Sequence, residues 1–172
     1  MTQTDPVRLR RADEGDIAFI MRTERQPGFD WFVGRWEEAK HRDVMRETSS
    51  AYLVATDSEG ASLGFAILRQ VDDADGNVYL QRVAMAQPGG GFGRHFLRGI
   101  MAWVFEQTQA HRFWLLMKVG NHRADHVYRS LGLVEEGRLR ESQKAPDGSR
   151  LDALMFSKLR PEWSSSTGSA TT

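Results

Sequence analysis

Apolar and polar residues alternate along short stretches in the first half of the chain, and turn residues separate these stretches. Alternation over residues 7–10 predicts a first strand, and Asp13 can cap a helix that ends at the Pro-Gly break after residue 26. A second helix is predicted over residues 33–47. Three further strands, joined by short turns rich in Asp and Gly, are predicted over residues 51–55, 62–70 and 78–85. The short connections predict that these strands form an antiparallel meander.

The second half begins with a glycine-rich segment, residues 89–93, which lies between the last of these strands and a helical pattern. Over residues 94–109 the apolar residues recur at helical spacing and predict one buried helix face. The nearly continuous apolar run within residues 112–119 predicts a buried strand parallel to the strand before the glycines, which gives a strand-helix-strand unit. A short helix capped by Asn121 and a closing hairpin over residues 133–142 and 151–159 complete the predicted order.

The composition is that of an ordinary globular domain. The 172 residues carry 23 basic and 23 acidic side chains, so the net charge gives no general attraction to nucleic acid. The chain has no cysteine, which excludes disulfides and thiolate chemistry, and no apolar segment suits a signal peptide or a membrane span. We therefore predict a cytoplasmic protein with a polar leader over residues 1–6, a single domain over residues 7–160 and a disordered tail over residues 161–172.

The order of strand, glycine-rich turn and helix directs backbone N–H groups and the positive end of a helix towards a phosphate. A P-loop would continue with Lys and Ser or Thr, but Arg94 and His95 follow the last glycine. A Rossmann fingerprint opens a series of parallel strands and needs an acidic residue at the end of the next strand, where Val119 and Gly120 stand. Taken alone, the glycines also fit a plain flexible turn.

A more specific pattern appears when the glycines are combined with the residues downstream. The strand-loop-helix-strand order is followed by Asn-x-x-Ala-x-x-x-Tyr-x-x-x-Gly, which comprises Asn121, Ala124, Tyr128 and Gly132. This arrangement resembles the GNAT superfamily of acetyl-CoA-dependent N-acetyltransferases over residues 7–159, and it looks most like the RimJ/RimL-type branch. The resemblance implies an α+β sandwich in which a mixed, mostly antiparallel and splayed sheet is flanked by helices.

One loop position departs from the family pattern. With Gly91 and Gly93 at the loop glycines of the family, Pro88 stands where Arg or Gln is usual, and Gln87 comes one residue too early. The backbone amides of the loop can still hold a pyrophosphate, whereas a side-chain contact from position 88 is not expected.

The resemblance also implies the reaction and its site. It implies acetyl transfer from acetyl-CoA to a primary amine, of a protein N-terminus or of a small molecule, by direct attack in a ternary complex. Tyr128 would be the general acid, because a phenol stays protonated at neutral pH; from spacing alone it would be a buried aromatic. Asn121 would position pantetheine or water, or would simply cap its helix. The implied acetyl-CoA-binding residues are Val83, Ala84, Met85, Gly89, Gly90, Gly91, Phe92, Gly93, Arg94, Asn121 and Tyr128.

The sequence leaves the general base open. The strand position that often carries a glutamate in the family is Gln81, whose amide cannot take a proton. Glu24 is the candidate base, because the neighbouring loop resembles the acceptor-facing wall, and the alternative is a solvated carboxylate at a helix end. A water relay, or an amine that arrives neutral, would need no dedicated residue. The lack of an obvious base also leaves open a non-catalytic acyl-CoA-binding or sensor domain of the same fold.

Two other clusters are weaker indications. His122 and His126 lie four residues apart on a predicted helix, but a third ligand and the zincin glutamate are missing, so exposed histidines are favoured and no metal is expected. Four aromatic residues lie near the second predicted helix: Phe29, Trp31, Phe32 and Trp36. They fit core packing against the sheet, and the functional alternatives are an acceptor-pocket wall or a dimer surface. A homodimer would be in keeping with the resemblance.

Overall fold

Seven strands form one mixed sheet in the computed structural model, which describes residues 7–167 of the chain and its side chains as far as residue 164. In chain order the strands are β1 (Arg8–Arg11), β2 (Ser50–Thr56), β3 (Ser62–Arg69), β4 (Asn77–Met85), β5 (Arg112–Lys118), β6 (Val134–Lys144) and β7 (Arg150–Leu159). Across the sheet they follow the order β1-β2-β3-β4-β5-β7-β6. β4 and β5 are parallel, and the other neighbouring strands are antiparallel. The predicted meander and the predicted closing hairpin are both present.

Helices cover both faces of this sheet. They are α1 (Ile17–Glu24), which follows a single 3-10 turn, α2 (Glu38–Arg46), α3 (Phe92–Gln107), α4 (His122–Ser130) and α5 (Arg160–Thr167). Helix α3 connects the parallel strands β4 and β5, as the predicted strand-helix-strand unit requires. Within residues 7–167, no helix is long and apolar enough to cross a membrane. The mixed, mostly antiparallel sheet between helices is the α+β fold that the sequence predicted.

Apolar side chains are buried on each face of the sheet. On one side, here called the α3 face, they pack beneath α3 and α4, and on the other, the α1 face, they pack beneath α1 and α2. The apolar positions predicted for α3 all belong to the core of the α3 face: Phe96, Leu97, Ile100, Met101, Val104 and Phe105. The α1 face is built around residues such as Ile20, Val44 and Phe65.

β4 and β5 pair over their first halves and then separate. Their parallel register runs from Asn77 opposite Arg112 to Leu80 opposite Leu115. Beyond this point β4 stays paired with β3 as far as Met85, and β5 stays paired with β7 as far as Lys118. The inner edges of β4 and β5, residues 81–85 and 116–118, therefore face a gap in the sheet. The splayed sheet implied by the resemblance is confirmed.

A β-bulge lies at the base of this gap. Ile67 of β3 opposes Arg82, but the next residue, Leu68, opposes Leu80, so Gln81 is the extra residue on β4. Because a shift of one residue moves strand side chains to the opposite face, Leu80 belongs to the core of the α3 face while Arg82 contacts Glu24 of α1. One strand thus contributes even-numbered side chains to both faces.

Two predicted boundaries differ from the structure. The second helix begins at Glu38 rather than at residue 33, because Glu37 is extended, with φ −77° and ψ 159°, and the N–H of Trp36 donates to a carboxylate. The tail was predicted to be disordered from residue 161, but its first residues belong to α5. There Trp163 stacks on Phe105, with ring centroids 5.8 Å apart. The rest of that tail, residues 168–172, and the leader, residues 1–6, lie outside the described residues.

Candidate active site

The gap between β4 and β5 opens into a cavity of about 810 Å³. Its walls come from the inner edges of both strands, the glycine-rich loop with the start of α3, helix α4, and the segment between α1 and α2. Most of the predicted acetyl-CoA-binding residues line it: Val83, Ala84, Met85, Gly89, Gly90, Gly91, Gly93, Arg94, Asn121 and Tyr128. The side chain of Phe92 does not, because its ring packs on the loop itself, about 3.1 Å from where Gly90 would carry a Cβ.

The inner edge of β4 presents backbone groups to the cavity. Ala86 donates its N–H to the carbonyl of Leu63 on β3 at 2.8 Å, so the alternation along the strand turns the N–H and C=O of Val83 and Met85 towards the gap. At the far end, Gln26 Nε2 donates to the Met85 carbonyl at 3.3 Å. An extended ligand lying in the gap can therefore pair with Val83 and Met85 as an added strand would.

The glycine-rich loop offers a set of free backbone donors. Gly89, Gly90 and Gly91 have φ values of 128°, 63° and 77°, a region that residues with a Cβ rarely adopt. Within the described residues, none of the N–H groups of residues 89–93 donates to another group. Gly91 is the N-cap of α3 and has no side chain to satisfy the first turn. The loop is thus built to hold an anion at a helix N-terminus.

Pro88 also lines the cavity, and it brings neither a backbone N–H nor a charged side chain to the loop. Arg94, one helical residue beyond the glycines, is exposed and reaches the Ser130 carbonyl at 3.4 Å. The positive charge of Arg94 therefore stands beside the free amides, where it can add to their attraction for an anion.

Tyr128 and Asn121 reach the cavity from α4. Tyr128 is buried against Phe156, with ring centroids 5.7 Å apart, and its hydroxyl has no partner within the described part of the chain. Burial raises the pKa of Tyr128 to about 12. Asn121 Oδ1 accepts the N–H of Ala124 at 3.2 Å, so the predicted helix cap exists, and the same side chain lines the cavity.

Gln81 stands where the two strands diverge, and its carbonyl oxygen is unusual. Oε1 is buried and accepts no hydrogen bond from any described residue, although buried polar atoms are nearly always paired. The side chain lines the cavity. Gln81 therefore offers a hydrogen-bond acceptor to an N–H group that enters the cavity at the fork, the point where β4 and β5 diverge.

Glu24, the candidate base, is fully buried and does not line the cavity. Its Oε1 accepts from Arg25 at 2.7 Å and from the N–H of Trp36 at 3.1 Å, and it lies 3.2 Å from Nε2 of His41. Its Oε2 accepts from Arg82 Nη1 at 2.8 Å.

Burial by itself would raise the pKa of Glu24, but the hydrogen bonds with His41 and Trp36 and the charge of Arg82 outweigh it and hold the pKa below its usual value. A carboxylate so enclosed and so firmly ionised is neither a solvated helix-end group nor placed to take a proton from an amine in the cavity. The candidate base is thus corrected to an anchor that holds Arg82 and the α1–α2 segment.

Arg82 and Lys118 line the cavity and were not singled out by sequence reasoning. Arg82 is 7% exposed, lies 4.4 Å from the ring centroid of Trp36 and is covered by Gly34, where a Cβ would come within 2.6 Å of Nη2. The orientation of the Arg82 side chain depends on the β-bulge at Gln81, and the alternation of apolar and polar residues along β4 gives no sign of that bulge. Lys118 ends the apolar run of β5, and a lone cation in that position is a signal that could have revealed it.

No three His, Asp or Glu side chains of the described residues come together in a way that could hold a metal ion. His122 and His126 are both exposed on α4.

Comparison with known proteins adds a family context to this geometry. A family model described as an acetyltransferase (GNAT) domain matches residues 7–134, which is most of the chain. Among curated proteins, the spermidine N(1)-acetyltransferase of Vibrio cholerae serotype O1 is 26% identical over 141 residues, which are 77% of this chain and 82% of that protein.

Solved structures resemble the whole fold. The spermidine N-acetyltransferase of Vibrio cholerae in complex with CoA and spermine superposes with a TM-score of 0.82 at 22% identity, covering 92% of this chain and 98% of that one. The spermidine/spermine N-acetyltransferase SpeG of the same organism, in complex with manganese ions, gives a TM-score of 0.80 at 20% identity, covering 94% and 97%.

Proposed function

The chain belongs to the GNAT acetyltransferase family, and we propose that it acetylates the primary amine of a small molecule at the fork between β4 and β5. Within this family it is an acetyl-CoA-dependent N-acetyltransferase. The small-molecule acceptor is supported by the relative from Vibrio cholerae, which is a spermidine N(1)-acetyltransferase. Acetylation of a protein N-terminus and the RimJ/RimL-like branch remain predictions of the sequence pattern.

The fork is the observation that carries the proposal. Acetyl-CoA supplies an activated thioester at the end of a long amide-bearing arm and a pyrophosphate. Val83 turns its N–H and C=O, and Met85 its N–H, into the gap with no partner among the described residues, and these groups can pair with the amides of such an arm. The free N–H groups of residues 89–93, at the positive end of α3, suit the pyrophosphate. Asn121 and Arg94 line the same cavity, and Arg94 directly follows the loop in the chain.

Gln81 is proposed to orient the acceptor amine. Its buried Oε1 has no partner among the described residues, and an amine N–H entering at the fork would satisfy it. Because an amide cannot take the proton, the amine attacks in its neutral form or loses its proton to water. The enclosed, ionised Glu24 supports the same conclusion, since no carboxylate of the described chain lines the cavity.

Tyr128 is proposed to protonate the departing thiolate. Its hydroxyl is buried on the α3 face at the cavity and has no competing partner in the described part of the chain. Its pKa, raised by burial to about 12, keeps the proton in place until the thiolate develops. As the N–C bond to the amine forms and the C–S bond breaks, the phenol proton passes to sulfur.

The experiment is acetyl-CoA binding by calorimetry, followed by CoA release with a panel of small primary amines that includes spermidine. We expect wild-type protein to bind acetyl-CoA and to release CoA when an amine is added. Tyr128→Phe should lower turnover by about 100-fold or more with little change in acetyl-CoA affinity, because the loss of a general acid acts on the chemical step.

Tyr52→Phe is the matched control, since the hydroxyl of Tyr52 bonds His41 away from the cavity. Its turnover should stay at the wild-type level. Lack of acetyl-CoA binding at millimolar concentration would overturn the function, and unchanged turnover in Tyr128→Phe would remove that residue from the acid role.

A further inference from the structure

Lys118 brings an unmatched positive charge into the cavity. Its side chain is half-buried at the end of β5 and lines the cavity wall. It has no hydrogen-bond or ion-pair partner within the described residues. Burial lowers the pKa of the ammonium group, which means that the protein disfavours this charge unless an anion accompanies it.

The direction of the strand places Lys118 opposite the CoA-binding loop. Phe113, Leu115 and Met117 are buried in the core of the α3 face, so the alternating residues Leu116 and Lys118 turn to the α1 face. The glycine-rich loop leads into α3, which packs on the opposite face of the sheet from Lys118. The ammonium group is thus available to the acceptor rather than to the pyrophosphate.

The part of the cavity on the α1 face, here called the acceptor compartment, has mainly apolar walls: Phe29, Phe32, Val33, Tyr79 and Leu116. Its charged members are Lys118 and Arg82. Phe32 remains 40% exposed, so its ring is accessible to a ligand in this compartment. The compartment therefore favours a molecule with an apolar body.

No carboxylate of the described chain lines the cavity, so a second positive charge would meet no counter-charge in its walls. Arg82, the neighbouring cation, is already compensated by Glu24 at 2.8 Å. Of the carboxylates in the α1–α2 segment, Glu37 pairs with Arg25 at 3.2 Å and Asp30 is exposed outside the cavity wall. A polycationic amine would meet Lys118 with no counter-charge.

We propose that the acceptor is a small amine with an apolar body and one carboxylate, as in an apolar amino acid, and that Lys118 is the counter-ion that selects it against polyamines. The proposal rests on the acetyl transfer proposed above and names its substrate class. The acceptor α-amine forms the N–C bond as the C–S bond of acetyl-CoA breaks. Sulfur takes the proton of Tyr128, the amine gives its extra proton to water, and the phenolate of Tyr128 regains a proton from water.

The test compares amines that differ in one charge. L-leucine, L-methionine and L-phenylalanine are each paired with the corresponding amino acid amide, and spermidine represents the polyamines. CoA release is measured with each, and kcat/KM is expressed per neutral amine so that differences in amine pKa do not enter. We expect each amino acid to exceed its amide and spermidine by about 10-fold or more, the size of a charge-assisted contact.

The variants isolate the ammonium group. Lys118→Met keeps the apolar stem and should lower kcat/KM for the amino acids about 10-fold or more while leaving acetyl-CoA affinity unchanged. Lys118→Glu should reverse the preference and raise spermidine above the amino acids. Lys144→Glu is the control, because Lys144 is exposed on β6 outside the cavity wall and should leave all rates as in wild type.

The outcomes distinguish the proposed acceptor class from the acetyltransferase function on which it rests. An enzyme that binds acetyl-CoA and prefers spermidine, with no reversal in Lys118→Glu, keeps its acetyltransferase function and overturns the acceptor class. If each amide has the same kcat/KM as its amino acid, the proposed acceptor class is likewise overturned. Thermal denaturation and acetyl-CoA titration of each variant exclude a folding defect as the cause of a lost rate.

Discussion

Glu24 and Gln81 show how the surroundings of single side chains decide their chemistry. In the sequence Glu24 stands beside a chain break, where an exposed carboxylate is expected, yet it is enclosed by donors that include Arg82, 58 residues away. Gln81 can be dismissed as a base from its chemistry alone, but only the folded chain shows that its side-chain oxygen has no partner among the described residues. Both findings depend on partners that are distant in sequence, so local pattern cannot predict them.

Replacing Glu24 should destabilise the fold. Glu24→Gln leaves the guanidinium of Arg82, which is 7% exposed, without its carboxylate. We expect the free energy of unfolding to fall by about 3–5 kcal/mol, the usual cost of breaking a buried ion pair on one side. Urea denaturation measures it. Glu38→Gln, which removes an exposed i,i+4 pair with Arg42, is the control and should leave the midpoint nearly unchanged.

The difference in unfolding free energy between wild type and Glu24→Gln should depend on pH, and the pKa of Glu24 fixes the direction of that dependence. Because the folded-state pKa of Glu24 lies below its ordinary value of 4.5, its contribution is complete above that pH and is lost as the pH falls through the folded-state pKa. The stability gap between wild type and Glu24→Gln should therefore shrink under acid conditions. A gap that stays constant into that range would contradict the assignment of Glu24 as a buried, ionised anchor.

At the scale of elements, periodic segments are predicted well and segments held by distant contacts are not. The apolar spacing predicted α3 over residues 94–109, close to the observed Phe92–Gln107. Helix α5 carries a polar sequence that predicted disorder, and it is held in place by its contacts with α3. Trp163 stacks on Phe105, and Arg160 donates to the carbonyls of Ala110 and Phe105 at 2.7 Å and of Thr108 at 3.1 Å.

Arg160 should therefore matter for stability although it lies far from the cavity. Its guanidinium satisfies carbonyls that the end of a helix leaves without partners. Arg160→Met should lower the free energy of unfolding by about 1.5–3 kcal/mol, the range for hydrogen bonds to a charged group, with kcat unchanged. Denaturant unfolding with a parallel rate assay measures both. Arg150→Met, at an exposed position of β7, is the matched control; an equal loss there would refute the capping role.

For the whole molecule, the net charge is zero, but the charges are distributed unevenly in the folded protein. The chain carries 23 basic and 23 acidic residues, but the described residues that line the cavity include arginines and a lysine and no carboxylate. Acidic side chains are instead paired elsewhere, as Glu24 is with Arg82. Composition therefore excludes a general attraction to polyanions, while the fold concentrates positive charge in the cavity that we propose holds acetyl-CoA and its acceptor.

A cavity without a carboxylate base has a kinetic consequence for the enzyme as a whole. The rise of kcat/KM with pH should follow the pKa of the acceptor amine, because the neutral amine is the attacking species. Tyr128, with a pKa of about 12, should remain protonated throughout the working range and add no falling limb. Profiles with an amino acid and its less basic amide test this; a rise at one fixed pH for both would indicate an enzymic base.

The sequence by itself determined the family, the order of the elements and the glycine-rich loop, because periodicity and motif spacing are local properties of the chain. It also placed Tyr128 and Asn121 on the helix that reaches the site. Tertiary structure decided where β4 and β5 part, how the bulge at Gln81 turns Arg82 towards Glu24, and which charges remain unpaired in the cavity. These depend on strand register and on contacts between residues far apart in sequence, which no local pattern encodes.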